Sequence, residues 1–205
     1  AQVLLKHGVT TIGHLAENDP AMLTKWLGKQ GESLYRMANG EGDSPVRRWG
    51  ESEPVKSIGN SMTYPHDLVG REKWHAGLMP LCDSVGARLR AQHLKCRVVT
   101  IHVKTPTFKV ISRQRTLPMP TNLTRQLFHE SLSLLEQCWS PDAPIRLLSV
   151  TASALCGEDE AVPAQLSFLT EVTPDDPKQA RMEQAVDSVR RRFGKNVIRP
   201  GTPDA

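Results

Sequence analysis

Two neighbouring segments alternate apolar and polar residues, and this pattern constrains the fold more than any other feature of the chain. One segment is Lys95 to Lys104, the other is Phe108 to Thr116, and only Thr105-Pro106-Thr107 separates them. Period-two alternation is typical of strands that bury one face, and a short connection suits a hairpin. The pair therefore predicts an antiparallel hairpin with one face turned towards a core.

This hairpin lies between two segments with helical spacing of apolar residues, at 66–92 and 123–139. Extended segments at 56–65 and 145–154 flank those helices. The order is β-α-β-β-α-β, which predicts one antiparallel sheet with two helices on one face and the other face free for water or a ligand. We therefore expect an α+β fold whose main domain, residues 56–156, is ferredoxin-like.

The chain on either side of this domain has a different pattern. Residues 1–44 contain short apolar periods joined by glycine turns, and they predict a small all-helical domain of the helix-hairpin-helix type. Residues 45–55 are polar and aperiodic, which is typical of a linker. Residues 157–205 predict an acidic tail that ends in a helix near 177–193. Because the sequence opens without Met inside an apparent helix, we expect it to be part of a longer protein.

The composition excludes several classes of protein. The 205 residues are 39% hydrophobic and 23% charged, as in ordinary globular chains. No apolar run approaches the ~18–20 residues that span a bilayer, and no signal peptide is recognisable. The four cysteines are widely spaced without a Cys-x-x-Cys pair. These features predict a cytoplasmic protein with reduced thiols, without a membrane partner, a disulfide framework or a metal site.

The charge is distributed unevenly along the chain. The net charge is only +4, yet the stretch from Ser84 to His129 contains nine Lys or Arg residues and no Asp or Glu. A stretch of one sign favours an anionic partner, most simply phosphates, and a solvated basic surface is the alternative.

Basic residues of the hairpin form the first candidate site. In its second strand they alternate with Phe108 and Val110, so we expect them on the open face, opposite the helices. A row of Lys and Arg with few aromatics is typical of contact with a nucleic-acid backbone. An RNA-recognition sheet would carry aromatic platforms, and these strands offer little beyond Phe108 and Tyr64. The candidate cations are Lys56, Lys104, Lys109, Arg113 and Arg115.

Glycine turns of the helical domain form the second candidate site. Glycine lets a backbone approach phosphate closely, and N–H groups at the start of the next helix can point at the anion. Simple helix stops are an equally good interpretation of either turn alone. The candidate residues are Gly8, Thr10, Gly13, Gly28, Lys29 and Gly31.

A short apolar segment interrupts the acidic tail and forms the third candidate. It either packs back on the core or acts as a linear peptide that anchors in the pocket of a partner. The candidate residues are Gln165, Leu166, Ser167, Phe168 and Leu169.

The sequence lacks the patterns that catalysis would require. Two-metal nucleotidyl transfer needs carboxylates that converge on a pair of ions. The acidic clusters Glu158-Asp159-Glu160 and Asp175-Asp176 lie in a loop and near a helix start, and not at strand ends. There is no phosphate-binding glycine loop and no His-Glu-x-x-His pattern. We therefore expect no catalytic residue and no cofactor in this chain.

Several ordered motifs resemble the Y family of translesion DNA polymerases, in particular the bacterial polymerase IV group and its Gram-positive relatives. The resemblance covers essentially the whole chain, and it implies the thumb, the tether, the little finger and the tail of such a polymerase. The parent would be a DNA-directed DNA polymerase, a nucleotidyltransferase that copies past damaged bases in DNA repair. Magnesium ions would be held by palm carboxylates, and no palm motif is found here. The motifs are GVTTIGHLA, LGKQGESLYRMANGEGDSPV, KSIGNSMTYPHDL, RQRTLP, QLSFL and RRRFGKNVIRPG.

The resemblance also implies partners and contacts. The glycine turns would hold primer–template DNA near its minor groove, and Gln165 to Leu169 would tether a monomeric protein to the sliding clamp. The segment from Lys56 to Ser61 would follow template-strand phosphates, and the second hairpin strand would hold the neighbouring strand. The implied phosphate contacts are Lys56, Ser57, Gly59, Asn60, Ser61, Arg113, Arg115 and Thr116.

Two other hypotheses stay open on the sequence. One is a non-catalytic Y-family-like accessory protein that serves as a hub for the clamp and a polymerase in damage-induced mutagenesis. The other is an unrelated ferredoxin-like module that prefers single-stranded RNA, against which the scarcity of aromatics counts. A palm with paired carboxylates upstream would favour the polymerase over the accessory protein.

Overall fold

The computed structural model describes residues 1–42, 45, 46, 48, 50, 51, 54–158, 160, 177–199 and 201. The chain divides into two compact units, residues 1–53 and 54–205. Within the described parts there are seven helices and one four-stranded antiparallel sheet, so the fold class is α+β.

The first unit consists of short helices around a small core. Its buried side chains are Val9, Leu15 and Leu23, and Asn39 links the last helix to the second by donating to the Ala16 carbonyl at 3.3 Å. The helices are α1 (Gln2–Lys6), α2 (Ile12–Ala16), α3 (Pro20–Leu27) and α4 (Lys29–Ala38).

Local chemistry explains where these helices begin. Asp19 accepts the Ala21 N–H at 2.8 Å and Pro20 follows it, so α3 starts with a side-chain cap and a proline in its first position. Thr11 accepts the His14 N–H at 3.1 Å ahead of α2. Gly28 joins α3 to α4 with a φ of 65°, a conformation that favours glycine.

The second unit has the predicted element order, followed by one more helix. Its two long helices, α5 and α6, and the core-facing side of the sheet enclose a single cluster that includes Trp74, Leu78, Leu135 and Val150. The elements are β1 (Ser57–Leu68), α5 (Arg71–Ala91), β2 (Leu94–Lys104), β3 (Val110–Thr121), α6 (Thr124–Cys138), β4 (Ile145–Gly157) and α7 (Pro177–Phe193).

The strand order corrects the ferredoxin-like prediction. The order is β1-β4-β2-β3, with β2 and β4 in the centre, whereas a ferredoxin-like sheet has its first and third strands there. Burial and proline explain the difference. Strands β2 and β4 each bury three alternating apolar residues, Val99, Ile101 and Val103 on β2 and Leu148, Val150 and Ala152 on β4.

The two outer strands carry the prolines of the sheet. Pro65 lies in β1, and Pro118 and Pro120 lie in β3. Proline has no N–H to donate, so it is tolerated at a sheet edge and not between two neighbours. Because β1 is an outer strand, it can contain Pro65 and continue to Leu68, with an irregular register after Thr63. The prediction that this strand ends at Pro65 is therefore wrong.

Helix α7 is joined to the body of the unit through a buried cation. Arg90 of α5 is 8% exposed, and its guanidinium contacts Glu183 and, at 2.6 Å, Asp187. Glu183 also accepts the backbone N–H of Thr124, the first residue of α6, at 2.9 Å. A buried charge is tolerated only with such partners, so α7 is held to both α5 and α6 by this contact. Arg190 and Asp83, 3.0 Å apart, add a second link.

Tyr64 gives this unit a stability that depends on pH. Its hydroxyl donates to the Gly77 carbonyl at 3.1 Å, and burial raises the pKa of Tyr64 to about 12 from 10.0. Because the folded state favours the protonated phenol, this stabilisation is fully present below the unfolded pKa and is lost as the pH rises towards 12. We expect Tyr64→Phe to unfold at lower urea than the natural chain at about pH 9, and the difference to shrink by about pH 11.5. A difference that grows over this range would contradict the assignment.

Candidate nucleic-acid interface

The face of the sheet that points away from α5 and α6 is lined by small hydroxyl side chains. Residues that pair directly across antiparallel strands point to the same face, so the register identifies its members. We call these sixteen residues the hydroxyl face. Read from β1 to β3, its four rows are Ser57-Ser153-Val98-Thr116, Gly59-Thr151-Thr100-Gln114, Ser61-Ser149-His102-Ser112 and Thr63-Leu147-Lys104-Val110.

The chemistry of the hydroxyl face suits an anionic backbone. Nine of its sixteen residues are Ser or Thr, and none of them is Asp or Glu. A hydroxyl can donate to a phosphate oxygen, and its short reach lets the backbone approach the sheet. Lys104 adds a fixed positive charge, and His102 can add another when it is protonated. The face can therefore hold phosphates without repelling them.

The β2–β3 loop adds an aromatic ring and more positive charge at one end of this face. The Phe108 ring is 64% exposed, with Lys104 Nζ 5.6 Å and the Arg146 guanidinium 5.2 Å from its centroid. Lys109 is exposed beside it, and its backbone N–H donates to Thr105 Oγ1 at 3.0 Å. Two of the predicted cations, Lys104 and Lys109, are thus near each other.

The free edge of β1 is the second feature of this surface. Arg88 of α5 is exposed and donates to the outward Gly59 carbonyl at 2.9 Å, and Asn60 Oδ1 accepts the Ser61 N–H at 2.9 Å. A Cβ on Gly59 would lie 2.7 Å from Thr151 Oγ1, so glycine at this position leaves room for the Thr151 side chain. Ser57, Gly59 and Ser61 of the predicted backbone-contact segment are exposed, as is Lys56 just before the strand.

The prediction that Arg113 and Arg115 line the open face is wrong. Arg115 pairs with Val99 and Arg113 with Ile101, both of which are buried beneath the helices. Arg115 forms an ion pair with Glu130 of α6 at 2.7 Å, while Arg113 is exposed at the sheet edge. The apolar residue that turns inward is Ile111, opposite Val103, and not Val110. Of the predicted residues on this strand, only Thr116 belongs to the hydroxyl face.

The glycine turns of the first unit separate into two kinds. Gly8 and Gly28 are exposed with positive φ, and a Cβ on either would meet no atom within 4 Å. Gly31 is buried where α4 crosses α3, and a Cβ there would lie 2.2 Å from the Leu23 carbonyl oxygen. Gly31 is therefore required for helix packing. The prediction that it contacts a phosphate is wrong, because the residue is buried. Thr10, Gly13 and Lys29 are exposed.

The predicted peptide from Gln165 to Leu169 lies outside the described residues. Among the residues that the structure describes, no cluster of His, Cys, Asp and Glu could hold a metal ion. None of the four cysteines forms a disulfide, and burial raises the pKa of Cys82 to about 12, which keeps its thiol protonated. None of the described helices is long and apolar enough to cross a membrane.

Sequence reasoning missed most of the surface that the register assembles. Arg88 and the β4 hydroxyls Ser149, Thr151 and Ser153 were not among the candidates. The available signal was the alternation of Ser and Thr with apolar residues in 147–153, which predicts one hydroxylated side. Arg88 had no local signal, because its role depends on the approach of α5 to the edge of β1.

Comparison with known proteins agrees with this chemistry. Residues 55–168 match the model of the impB/mucB/samB family C-terminal domain. DNA polymerase IV of Clostridium kluyveri is 34% identical over 98% of this chain and 51% of the relative. DNA polymerase IV of Acetivibrio thermocellus is 36% identical over 94% of this chain and 48% of the relative. DNA polymerase IV 1 of Halalkalibacterium halodurans is 34% identical over 96% of this chain and 46% of the relative.

The chain spans about half the length of the curated relatives it matches. The family model covers more than half of the chain, and all four strands of the sheet lie within the matched residues 55–168. The chain belongs to the impB/mucB/samB family, the Y family of DNA polymerases, and contains the C-terminal domain of that family.

Proposed function

We propose that this chain is the DNA-gripping C-terminal part of a translesion DNA polymerase, and that its hydroxyl face lies along the phosphates of primer–template DNA. The observation that carries the proposal is the hydroxyl face itself, with nine Ser or Thr residues, Lys104 and no carboxylate. Family membership supports DNA as the anion, because the curated relatives are named DNA polymerase IV.

The geometry favours contact with the backbone over contact with base edges. Short hydroxyls reach phosphate oxygens at the surface but do not extend into a groove, and phosphate contacts carry no sequence information. Arg88 supplies a charge at the β1 edge, next to the small residues Ser57, Gly59 and Ser61. Binding is therefore expected to be independent of sequence and sensitive to salt.

The first unit is proposed to act as the thumb, a second and separate grip. Gly8 and Gly28 present backbone in a turn without side chains, and Thr10, Gly13 and Lys29 are exposed in the same unit. Such a surface suits the phosphates that border a minor groove. The unit that contains the sheet is proposed to be the little finger.

The remaining parts of the proposal concern the parent protein. Copying past damaged bases would be carried out by a palm domain whose carboxylates hold magnesium ions, and this chain contains no such motif. Gln165 to Leu169 would tether the protein to the sliding clamp. The protein would act in the cytoplasm as a monomer.

A glutamine-to-glutamate pair tests the hydroxyl face at constant side-chain size. Gln114 is exposed on the β3 border of this face, and Gln137 is exposed on α6, on the opposite side of the sheet. A carboxylate among phosphates is repelled, so Gln114→Glu should weaken binding to a labelled primer–template duplex about 5-fold or more at low salt. Gln137→Glu adds the same charge and should change the affinity less than about 2-fold.

Fluorescence anisotropy with two duplexes of unrelated sequence gives the measurement. Lys104→Ala in the same assay should reduce the salt slope by about 0.9, which corresponds to one phosphate contact. Equal weakening by Gln114→Glu and Gln137→Glu, or a strong preference for one duplex, would reject the proposed face.

A further inference from the structure

The charged residues of α7 are sorted by face. Its two acidic residues, Glu183 and Asp187, both point inward and form ion pairs with Arg90. Arg190 also points inward, towards Asp83. Arg181, Arg191 and Arg192 are exposed. The helix therefore neutralises its acids inside the unit and presents an exposed side without a carboxylate.

The exposed cations share one side of the helix and are followed by an aromatic ring. Arg181 and Arg192 are eleven residues apart, which is three helical turns and about 17 Å along one side. Arg191 flanks this side, and Lys195 is exposed just beyond the end of the helix. Phe193 is 62% exposed, with the Arg192 guanidinium 5.2 Å from its ring centroid. We call Arg181, Arg191, Arg192, Phe193 and Lys195 the α7 cationic side.

This surface is remote from the hydroxyl face. Helix α7 contacts α5 through Arg90 and Asp83 and α6 through Thr124, and those helices cover the core side of the sheet. Helix α7 therefore lies on the helix side of the sheet, and the hydroxyl face is on the other side. The α7 cationic side and the hydroxyl face are therefore separate surfaces of this unit.

We propose that the α7 cationic side binds an unpaired DNA strand. The cations would hold successive phosphates, and the exposed Phe193 ring, next to Arg192, would stack on a base. The choice of DNA among polyanions rests on the proposed function, since a polymerase that grips duplex on one face also handles unpaired template.

The aromatic ring distinguishes a single strand from other anionic partners. Bases of a duplex are stacked on one another and offer only their edges, so an exposed ring gains little from them. An acidic protein tail would match the charges but has no planar partner for Phe193. Single-strand binders combine a basic track with aromatic rings in this way.

The test measures binding of the full chain to fluorescein-labelled dT12 by anisotropy at several salt concentrations. The double variant Arg191→Ala/Arg192→Ala should weaken binding about 5-fold or more and lower the salt slope by about 1.4, the value for two single-strand phosphate contacts. The matched control Lys25→Ala/Lys73→Ala removes the same charge from two exposed lysines elsewhere and should stay within about 2-fold. Far-UV circular dichroism checks that each variant keeps its helices.

Phe193→Ala reports on stacking separately from charge. It should weaken dT12 binding about 5-fold without a change in salt slope. An unchanged affinity of Phe193→Ala would overturn the assignment to a single strand. Equal losses in the Arg191/Arg192 and Lys25/Lys73 variants would overturn the site, and so would displacement of dT12 by polyglutamate of similar length. Binding of rU12 at least about 10-fold tighter than dT12 would assign the surface to RNA instead.

Duplex titrations separate this proposal from the proposed function. The Arg191→Ala/Arg192→Ala variant should bind duplex within about 2-fold of the natural chain, and Gln114→Glu should leave dT12 binding within the same range. If Gln114→Glu fails to weaken duplex binding while the α7 variants weaken dT12 binding, the hydroxyl-face proposal fails and the α7 proposal stands. Parallel losses of both ligands in the α7 variant would overturn the α7 proposal alone.

Discussion

Replacing Glu183 by alanine is expected to lower the free energy of unfolding of the second unit by about 3–5 kcal/mol. Glu183 is 6% exposed and accepts from both Arg90 and the Thr124 N–H. Its removal leaves the buried guanidinium with one carboxylate, Asp187, and leaves the first N–H of α6 without its acceptor. A buried charge that loses a partner costs far more than an exposed ion pair contributes.

Two neighbouring substitutions make this measurement specific. Glu183→Gln keeps an oxygen for the Thr124 N–H and removes only the charge, so its effect should be smaller than that of alanine. Gln184→Ala changes the adjacent exposed residue and should stay within about 0.5 kcal/mol of the natural chain. Urea unfolding followed by circular dichroism gives all three values. A loss below about 1 kcal/mol for Glu183→Ala would show that α7 contributes little to the unit.

Gly31→Ala is expected to have a comparably large effect on the first unit. The new Cβ would lie 2.2 Å from the Leu23 carbonyl oxygen and 2.6 Å from the Thr24 nitrogen. Both are backbone atoms, so the crossing of α3 and α4 must open. Overpacking of this kind costs about 1–3 kcal/mol and more where the backbone cannot yield. Among the described residues of this unit, the buried apolar side chains of the core are Val9, Leu15 and Leu23, so we expect α3 and α4 to lose stable packing.

Gly13→Ala is the matched control, because it makes the same substitution in the same unit. At Gly13 the nearest atom to a Cβ is Thr11 Oγ1 at 3.7 Å, and the residue lies within α2. Alanine should therefore stabilise this helix by up to about 1 kcal/mol. Hydrogen exchange of peptides from residues 1–40 reports on this unit by itself. Similar exchange rates in the two variants would contradict the distinction between the two glycines.

Much of the fold follows from sequence periodicity. The helices at 124–138 and 177–193 lie within one residue of the predicted bounds, since long amphipathic periods and a proline start define them locally. Strands β2 and β3 also pair as the predicted antiparallel hairpin, although β3 continues to Thr121 and does not end at Thr116. Element type and order are local properties, and they are the part of this fold that the residues reveal without a partner.

The orientation of β3 shows where sequence reasoning stops. This strand has an apolar residue on each side, Val110 and Ile111, so alternation alone permits either face to turn inward. The choice is made by pairing with β2, where Ile111 lies opposite Val103. Arg115 can then face the helices because Glu130 of α6 neutralises it. Both facts are tertiary, and the predicted row of cations failed for that reason.

The strand order and the role of Arg90 have the same cause. The sequence of a β-α-β crossover does not determine whether another strand lies between the two strands that it connects. Here β4 lies between β1 and β2. Likewise Arg90 is one of nine basic residues in an acid-free stretch, and only its burial separates it from the rest. The sequence thus predicted that one face of the sheet suits a phosphate backbone. Which residues line that face depends on contacts between residues that are distant in the sequence.

The outer strands of the sheet carry one more consequence, which concerns how copies of this protein meet at high concentration. A bare strand edge invites a second molecule to continue the sheet. On β3 the prolines at 118 and 120 offer no N–H, and on β1 the Gly59 carbonyl and the Ser61 N–H are already engaged by Arg88 and Asn60. Pairing of copies edge to edge into a continuous sheet is therefore disfavoured at both outer strands, and molecules at high concentration should remain separate.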